Sequence, residues 1–148
     1  MEILKIKANR KKYLPLLLEA DEQESMIERY IDTGDMYVLF DGDKPAGECI
    51  VTAADEKTLE IKSLAVASEY RGRGLGRLLI EFAARKYAEG FDELIVGTGD
   101  SPLTVPFYEK CGFKKSYYIK DFFTDNYDRP IYEGGVLLKD MVYLRKKL

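Results

Sequence analysis

The sequence predicts a fold of mixed helices and strands, α/β in the broad sense and α+β in the strict one. Its central sheet is mixed, mostly antiparallel, of about seven strands and flanked by helices. Short apolar segments separated by turn residues indicate antiparallel strands, and a helix between two buried-strand segments indicates a parallel crossover. A chain of 148 residues with 46% apolar content suits one domain, 1–148, that buries its own core.

The N-terminal part predicts one strand and two helices. Residues Glu2–Lys7 alternate apolar and charged side chains, as a half-buried strand does. Residues Lys12–Ala20 and Glu22–Ile31 have apolar positions at helical spacing, and Gly34 closes the second helix.

An antiparallel meander is predicted next. Asp35–Phe40 and Ala46–Val51 are apolar strands that flank Asp41–Lys44, where an Asp-Gly pair favours a hairpin turn. Residues Ala54–Lys57 then turn the chain into a third strand, Leu59–Val66.

The second half predicts a central helix, a buried strand and a shorter helix, at Leu75–Ala88, Asp92–Thr98 and Thr104–Cys111. The core stripe of the central helix is expected to contain Leu75, Leu78, Leu79, Phe82, Ala83 and Tyr87. Two final strands, Phe113–Ile119 and Val136–Leu144, are expected on either side of a long connection, Lys120–Gly135.

Three glycines at alternate positions stand between the predicted strand Leu59–Val66 and the central helix. The segment reads Arg71-Gly72-Arg73-Gly74-Leu75-Gly76. Glycines leave the backbone open to a ligand, and a helix start offers unpaired N–H groups and the positive end of its dipole. The segment therefore predicts a cradle for a pyrophosphate. A tight turn with solvated arginines is the alternative, but one turn does not need three glycines.

Two other glycine-rich motifs are excluded. A P-loop ends in Gly-Lys-Ser/Thr, whereas Gly76 is followed by Arg77 and Leu78. The dinucleotide fingerprint needs a third glycine where Arg77 or Leu79 stands. The motif that remains is Arg71-x-x-Gly74-x-Gly76.

This motif and a second one downstream resemble the GNAT superfamily of acetyl-CoA-dependent N-acetyltransferases. The family's Gln/Arg-x-x-Gly-x-Gly/Ala signature follows a strand that ends like Leu64-Ala65-Val66. The segment Phe107–Phe113 is similar to the family's aromatic-Tyr-x-x-x-Gly-Phe signature. The resemblance covers about residues 35 to 120 and implies the GNAT acyl-CoA N-acyltransferase fold.

The resemblance implies that acetyl-CoA is the acetyl donor. Amides of the glycine motif would hold the CoA pyrophosphate, and the main chain of Leu64 and Val66 would pair with the pantetheine arm in a gap beside that strand. A later loop often supplies an Asn in the family, and here Asp100 or Ser101 would replace it. The expected cofactor-binding residues are Leu64, Ala65, Val66, Arg71, Gly72, Arg73, Gly74, Leu75, Gly76, Arg77, Asp100 and Ser101.

Glu60 is the candidate general base, because many GNAT enzymes carry a glutamate four residues before the position of Leu64. Strict alternation would place Glu60, Leu64 and Val66 on one face of the strand. An alkylammonium of pKa about 10.4 must lose a proton before it attacks, which costs about 4.6 kcal/mol at pH 7. A partly desolvated carboxylate has a raised pKa and is a better base for removing this proton, directly or through a water. An ordinary ion pair with Lys62 on a wet sheet face is the alternative.

Tyr108 is the second catalytic candidate. The resemblance implies that this tyrosine lies beside the thioester sulfur, where a phenol of pKa about 10 can protonate the leaving thiolate. The alternative is that Tyr108 packs with Phe107 and Phe113 and that the backbone satisfies its hydroxyl.

The segment Tyr117–Asp140 combines aromatic and acidic side chains and would suit a cationic amine, since both attract cations. Its members are Tyr117, Tyr118, Phe122, Phe123, Tyr127, Tyr132, Asp121, Asp125, Asp128, Glu133 and Asp140. The alternative is that the aromatic residues cover the core while the acids stay in water.

Composition excludes several classes of protein. The chain has no histidine, which removes Ser-His and Cys-His dyads and nearly all His-bearing metal sites, so no metal is expected. Cys49 and Cys111 are expected to be buried free thiols. A net charge of −3 without a basic face argues against nucleic acid. No apolar run reaches the length of a membrane span and the N-terminus does not resemble a signal peptide, so a cytoplasmic protein is expected.

The expected function is transfer of the acetyl group of acetyl-CoA to a primary amine, by direct attack in a ternary complex without an acyl-enzyme. The alternative is a non-catalytic acetyl-CoA-binding sensor or interaction module. The residues leave open whether the acceptor is a small-molecule or a peptide amine, and whether the chain forms a homodimer.

Overall fold

The strands of the computed structural model, which describes residues 1–148, are β1 (Glu2–Ile6), β2 (Asp35–Asp41), β3 (Lys44–Ala53), β4 (Thr58–Val66), β5 (Glu93–Gly99), β6 (Lys114–Ile119), β7 (Tyr132–Glu133), β8 (Val136–Leu137) and β9 (Met141–Lys147). Seven of them form one sheet in the order β1-β2-β3-β4-β5-β9-β6, and β7 and β8 form a separate hairpin. Only β4 and β5 pair in parallel. The predicted mixed sheet, meander and parallel crossover are confirmed.

The helices are α1 (Leu14–Leu17), α2 (Glu24–Ile27), α3 (Leu75–Tyr87), α4 (Val105–Lys110) and α5 (Phe122–Asn126), with 3₁₀ turns at Arg10–Tyr13 and Ser68–Tyr70. The first two helices are shorter than predicted. Pro15 is tolerated only in a first helical turn, so α1 cannot begin earlier as a regular α-helix. Asp21 accepts the backbone N–H of Gln23 at 3.5 Å, a local bond that competes with helix continuation.

Helix α3 packs on one face of the sheet, and α1 and α2 pack on the other. The prediction for Leu78 was wrong, because this residue is 42% exposed, whereas Ile80 is buried. The buried stripe follows the i, i+4 series Leu75, Leu79 and Ala83, with Ile80 on its flank, so Leu78 lies beyond its other edge.

The predicted final strand Val136–Leu144 was also wrong, since the chain breaks between β8 and β9. The Gly134-Gly135 turn pairs β8 with β7 instead of with the main sheet. At the break, Asp140 accepts the backbone N–H of Asp121 at 2.8 Å, which ties the start of α5 to the start of β9. The predicted connection Lys120–Gly135 therefore contains α5 and β7.

Cys49 and Cys111 are both buried and free, as predicted. No helix in the structure is long and apolar enough to cross a membrane.

Candidate active site

Strands β4 and β5 separate halfway along their length. Their parallel pairing runs from Thr58 opposite Glu93 to Ile61 opposite Val96. The rest of β4, Lys62–Val66, has no partner on β5, although β5 continues and pairs with β9. The sheet therefore has an opening at its centre, where the resemblance implied one.

The main chain of β4 points into this opening at two residues. Val66 lies opposite Gly47, and Ala67 donates its N–H to the carbonyl of Ala46 at 2.9 Å. This pattern makes Val66 a member of a non-hydrogen-bonded pair with β3, and Leu64, two residues earlier, has the same orientation. The N–H and C=O groups of both residues therefore face away from β3, towards the opening.

A β-bulge at Lys62 reverses which face the β4 side chains occupy. Ser63 lies opposite Ile50, but Ile61 already lies opposite Val51, so Lys62 has no partner of its own on β3. An extra residue of this kind shifts the alternation of side chains by one.

Strict alternation along β4 was therefore a wrong expectation. Leu59 and Ile61 pack against the α3 core, and after the bulge Leu64 and Val66 pack against it as well. Glu60 and Ser63 face the opposite side, towards α1 and α2. The bulge thus separates the glutamate from the face that Leu64 and Val66 share with α3.

The glycine segment forms an open concave turn at the start of α3. Gly72 and Gly74 have φ values of +78° and +75°, and a Cβ built on either would meet nothing within 4 Å. Gly74 is the residue before the helix, and neither a capping side chain nor an acidic residue occupies the first turn. The first-turn N–H groups are therefore free to bind an anion.

Gly76 has a second role that the sequence did not reveal. A Cβ at this position would lie 3.0 Å from Cζ of Phe107, so the glycine also allows α3 and α4 to approach closely.

The three arginines of the motif already have partners in the chain. Arg71 pairs with Glu19 at 2.8 Å, Arg77 pairs with Glu81 at 3.1 Å, and Arg73 lies 5.2 Å from the ring centroid of Tyr70. The alternative of a tight turn with solvated arginines is therefore correct in part for these side chains. The groups that have no partner in the chain are the main-chain amides at the start of α3.

Ser101 is buried and its hydroxyl is engaged within the chain. It donates to Glu133 Oε1 at 2.5 Å and accepts the N–H groups of Leu103 and Thr104 at 3.3 and 3.4 Å. These bonds fix the turn before α4. Asp100 is exposed beside it. Cofactor binding by either residue stays a prediction.

The opening continues into a cavity of about 690 Å³ on the side of α1 and α2. From the predicted amine-binding segment, Phe122, Phe123, Tyr127, Tyr132 and Glu133 line it. The remaining predicted members, Tyr117, Tyr118, Asp121, Asp125, Asp128 and Asp140, do not line it. Tyr117 contributes indirectly, because its ring stacks on the lining residue Tyr143 with centroids 4.8 Å apart.

Glu60 lies in the wall of this cavity, and its side chain is only 13% exposed. Its Oε2 accepts a hydrogen bond from the Tyr143 hydroxyl at 2.8 Å and one from Lys62 Nζ at 3.3 Å. The ion pair with Lys62, which the alternative interpretation of Glu60 predicted, is present. It lies at the cavity instead of on a wet sheet face.

Tyr108 also lines the cavity. Its ring packs edge-on against Phe107 and Phe113, with centroid distances of 5.1 and 5.6 Å. The packing with Phe107 and Phe113 that the alternative interpretation predicted is therefore present. The backbone does not satisfy the Tyr108 hydroxyl, which has no hydrogen-bond partner in the chain. Burial raises the pKa of Tyr108 above its ordinary value, so the phenol stays protonated at neutral pH.

A segment that sequence reasoning missed closes one side of the cavity. Asp21 accepts hydrogen bonds from the hydroxyls of Tyr30 at 3.2 Å and Tyr127 at 2.9 Å. Arg29 donates to Asn126 at 3.3 Å in the same region. These bonds join the α1–α2 segment to α5 across the cavity. Burial raises the pKa of Asp21, although both tyrosines oppose the shift.

Glu48 is a second residue that sequence reasoning missed. It lies on β3 and is fully buried. Its Oε1 accepts a hydrogen bond from Ser63 Oγ at 2.6 Å, whereas its Oε2 has no partner. Burial raises the pKa of Glu48 to about 8. A charged residue inside the apolar run Ala46–Val51 was the signal that could have revealed it.

The buried Glu48 carboxyl gives a prediction for stability. From its ordinary pKa of 4.5 up to about 8, the native state holds a proton that the unfolded state has released. The stabilisation is complete below pH 4.5 and is lost as the pH rises to about 8. We expect Glu48 to contribute a fall in unfolding free energy of about 1.4 kcal/mol per pH unit in this window.

Urea unfolding of the wild type and Glu48→Gln at several pH values checks this expectation. The variant keeps an acceptor for Ser63, but its amide does not titrate. The unfolding free energy of the wild type minus that of the variant should therefore fall as the pH rises. Parallel pH dependences in the two proteins would contradict the assignment.

Together these features define a class of protein. An open glycine turn with free first-turn amides lies at a helix start on one side of a split sheet, and a cavity with aromatic and acidic side chains lies on the other. Such a site suits a transferase that takes a phosphate-bearing cofactor and an acceptor from opposite sides. No group of three or more His, Cys, Asp or Glu side chains is placed to hold a metal ion.

Comparison with known proteins identifies the family. Residues 32–115 match the model of the acetyltransferase (GNAT) domain. A Bacillus subtilis (strain 168) protein named uncharacterized N-acetyltransferase YvbK is 34% identical over 131 residues, covering 87% of this chain and 84% of that protein. The chain belongs to the GNAT acetyltransferase family and is an acetyltransferase, as the sequence motifs predicted.

Two solved structures are similar along nearly the whole chain. A GNAT family acetyltransferase from Elizabethkingia anophelis with acetyl-CoA bound has a TM-score of 0.92 and 32% identity, over 99% of this chain and 97% of that one. A Bacillus subtilis acetyltransferase in complex with CoA has a TM-score of 0.89 and 32% identity, with the same coverage. The predicted fold is confirmed.

Proposed function

We propose that this protein transfers the acetyl group of acetyl-CoA to a primary amine by direct attack within a ternary complex. The opening between β4 and β5 is the observation that carries the proposal, because it connects the glycine cradle on one side with the cavity on the other. Two reactants bound from opposite sides meet there at high effective concentration.

The cofactor would bind along the α3 side of the opening. First-turn amides of α3, after Gly72 and Gly74, would accept the pyrophosphate, and the main chain of Leu64 and Val66 would pair with the pantetheine arm. The arginine side chains would then exchange part of their present contacts for phosphate oxygens. Acetyl-CoA and CoA are the molecules bound in the similar structures described above, which supports this placement.

The acceptor would enter from the cavity side as a small amine. Acidic residues there, including Asp21, Glu60 and Glu133, attract an ammonium group, and the aromatic lining offers ring faces to it. The bonds from Asp21 and Arg29 to the α5 region narrow the cavity, which favours a small molecule over a folded protein substrate.

In the reaction, the nitrogen lone pair attacks the thioester carbonyl carbon, and the C–S bond then breaks. A backbone N–H near Leu64–Val66 would stabilise the oxyanion, and Tyr108 would protonate the departing thiolate. Its hydroxyl has no partner in the chain, and because burial keeps the pKa of Tyr108 high the phenol still holds its proton at neutral pH.

Glu60 would assist loss of the ammonium proton, directly or through water. We expect Glu60→Gln to lower kcat/KM at pH 7 by about 10²-fold, with a smaller loss at high pH where more of the amine is already neutral. Initial rates from pH 6 to pH 10 check this expectation.

Glu93→Gln is the matched control, because Glu93 also lies in an ion pair on the sheet, with Arg145 at 3.0 Å, but does not line the cavity. The control should behave like the wild type. Equal activity of Glu60→Gln and the wild type across the pH range would remove the base assignment.

The function itself is tested by mixing the protein with acetyl-CoA and a panel of polyamines, aminoglycosides, amino acids and peptides, and by measuring free-thiol release against a no-acceptor background. Acceptor-dependent release is expected for at least one small amine. A rise in Tm with acetyl-CoA but no release with any acceptor would support the alternative, a non-catalytic acetyl-CoA-binding module.

A further inference from the structure

The buried pair of Glu48 and Ser63 is not used by the reaction described so far. The two side chains come from adjacent strands, and the Ser63 hydroxyl donates to Glu48 Oε1 at 2.6 Å. Glu48 is 0% exposed and Ser63 is 5% exposed. Ser63 nevertheless lines the acceptor cavity, next to Leu64 at the opening. The pair therefore links a fully buried carboxyl to the space where the amine would bind.

The carboxyl has no cation to balance a negative charge. No lysine or arginine forms an ion pair with it, and its Oε2 has no hydrogen-bond partner. The titratable groups close enough to interact with it are Tyr30 from the segment after α2, Tyr108 from α4 and its strand neighbour Cys49. Burial raises the pKa of all three, so each is neutral at pH 7.

Glu60 is in the opposite situation. Lys62 and the Tyr143 hydroxyl both donate to its Oε2, so this oxygen is already engaged by a cation and a hydroxyl. Because of the bulge at Lys62, Glu60 and Ser63 are consecutive side chains on the acceptor face of β4. The acceptor face therefore presents one carboxylate held by a cation and one hydroxyl backed by a carboxyl without a cation.

We propose that Ser63 and Glu48 form a proton relay that works beside Glu60: Glu60 holds the ammonium group and assists loss of its proton, and the relay carries that proton away from the acceptor amine. This inference rests on the proposed function. Glu48 acts through Ser63 and is a positioning residue, whereas Ser63 contacts the substrate.

Proton transfer through the relay takes two linked steps. An N–H bond of the ammonium breaks and its proton binds Ser63 Oγ, while the Ser63 hydroxyl proton passes to Glu48 Oε1. The neutral amine attacks, one proton remains in the amide, and another reaches the CoA sulfur by way of Tyr108. Glu48 returns its proton through Ser63 to the cavity after the product leaves, so the net release is one proton to solvent.

A buried carboxyl that titrates near working pH is suited to this task, because efficient proton transfer needs a pKa close to the ambient pH. The pKa of Glu48, raised by burial to about 8, meets this condition. Only the ionised form accepts a proton, so kcat should rise with pH to a plateau above about pH 8.

Steady-state kinetics of Glu48→Gln and Ser63→Ala, with acetyl-CoA and the acceptor found in the panel, test the relay. We expect kcat to fall by about 10²-fold in both variants, with the KM for acetyl-CoA unchanged. The rise of kcat towards pH 8 should disappear in Glu48→Gln. The double variant should be no slower than either single variant, because both remove the same path.

A purely structural role would shift Tm but leave kcat and its pH profile intact, and that outcome overturns the relay. If Glu48→Gln does not fold, Ser63→Ala still decides, because it keeps the carboxyl and removes the hydroxyl. If Ser63→Ala has the same kcat as the wild type, the relay is overturned but the proposed function is not. If the unchanged protein transfers acetyl to no amine, both the proposed function and the relay are overturned.

Discussion

Gly74→Val is expected to lower the affinity for acetyl-CoA by at least about 10²-fold, because it closes the cradle at the start of α3. The valine methyl groups would occupy the open space in front of the first-turn amides, where the pyrophosphate is proposed to bind. Loss of one or two charge-assisted hydrogen bonds, each of about 1.5 to 3 kcal/mol, accounts for this factor. Isothermal titration calorimetry with acetyl-CoA measures it.

The chain supplies a matched control for this experiment. Gly42, in the turn between β2 and β3, has a φ of +61° and also has nothing within 4 Å of an added Cβ. Gly42→Val therefore carries a similar backbone strain, about 1 to 2 kcal/mol, without touching the cradle. Its Tm should fall as in Gly74→Val while its affinity for acetyl-CoA stays unchanged. Equal affinities in the two variants would contradict the cradle.

Tyr108→Phe is expected to lower kcat by about 10²-fold while the affinity for acetyl-CoA is retained. The expected loss is the contribution of a general acid to expulsion of the thiolate. The variant should be at least as stable as the wild type, because the hydroxyl has no partner in the chain and the ring keeps its contacts with Phe107 and Phe113. Turnover measurements and thermal melts check both expectations.

Tyr13→Phe is the control for removal of a tyrosine hydroxyl. Tyr13 is also buried, at 9% exposed, but it packs in the other core and does not line the cavity. Its variant should turn over like the wild type. Normal turnover in Tyr108→Phe as well would reduce Tyr108 to a packing residue.

Local patterns predicted most of the sheet because each strand has its own apolar pattern and turn residues. The same patterns could not reveal the bulge at Lys62, since a bulge arises from pairing between β3 and β4 and leaves no mark in either strand alone. The consequence is specific. Alternation placed Glu60 with Leu64 and Val66, whereas the structure places it on the opposite face, towards α1 and α2.

The cavity on the side of α1 and α2 shows the same limit. Its aromatic members Phe122, Phe123 and Tyr127 stand in a recognisable cluster, and composition predicted them. Asp21 became visible only in three dimensions, because its partner Tyr127 is 106 residues away. Glu48 is an intermediate case. An acid in an apolar strand is conspicuous in the sequence, but that Ser63 is its partner can be known only from the register between β3 and β4.

The central claim is direct transfer of an acetyl group to an amine, and following that group tests it most directly. The protein is mixed with acetyl-CoA labelled at the carbonyl carbon, with and without a small amine, and the label is followed by NMR. We predict that the label moves from the thioester to an amide only when the amine is present, with no labelled protein. A label that stays on CoA with every amine, although the protein binds acetyl-CoA, would contradict the proposed function.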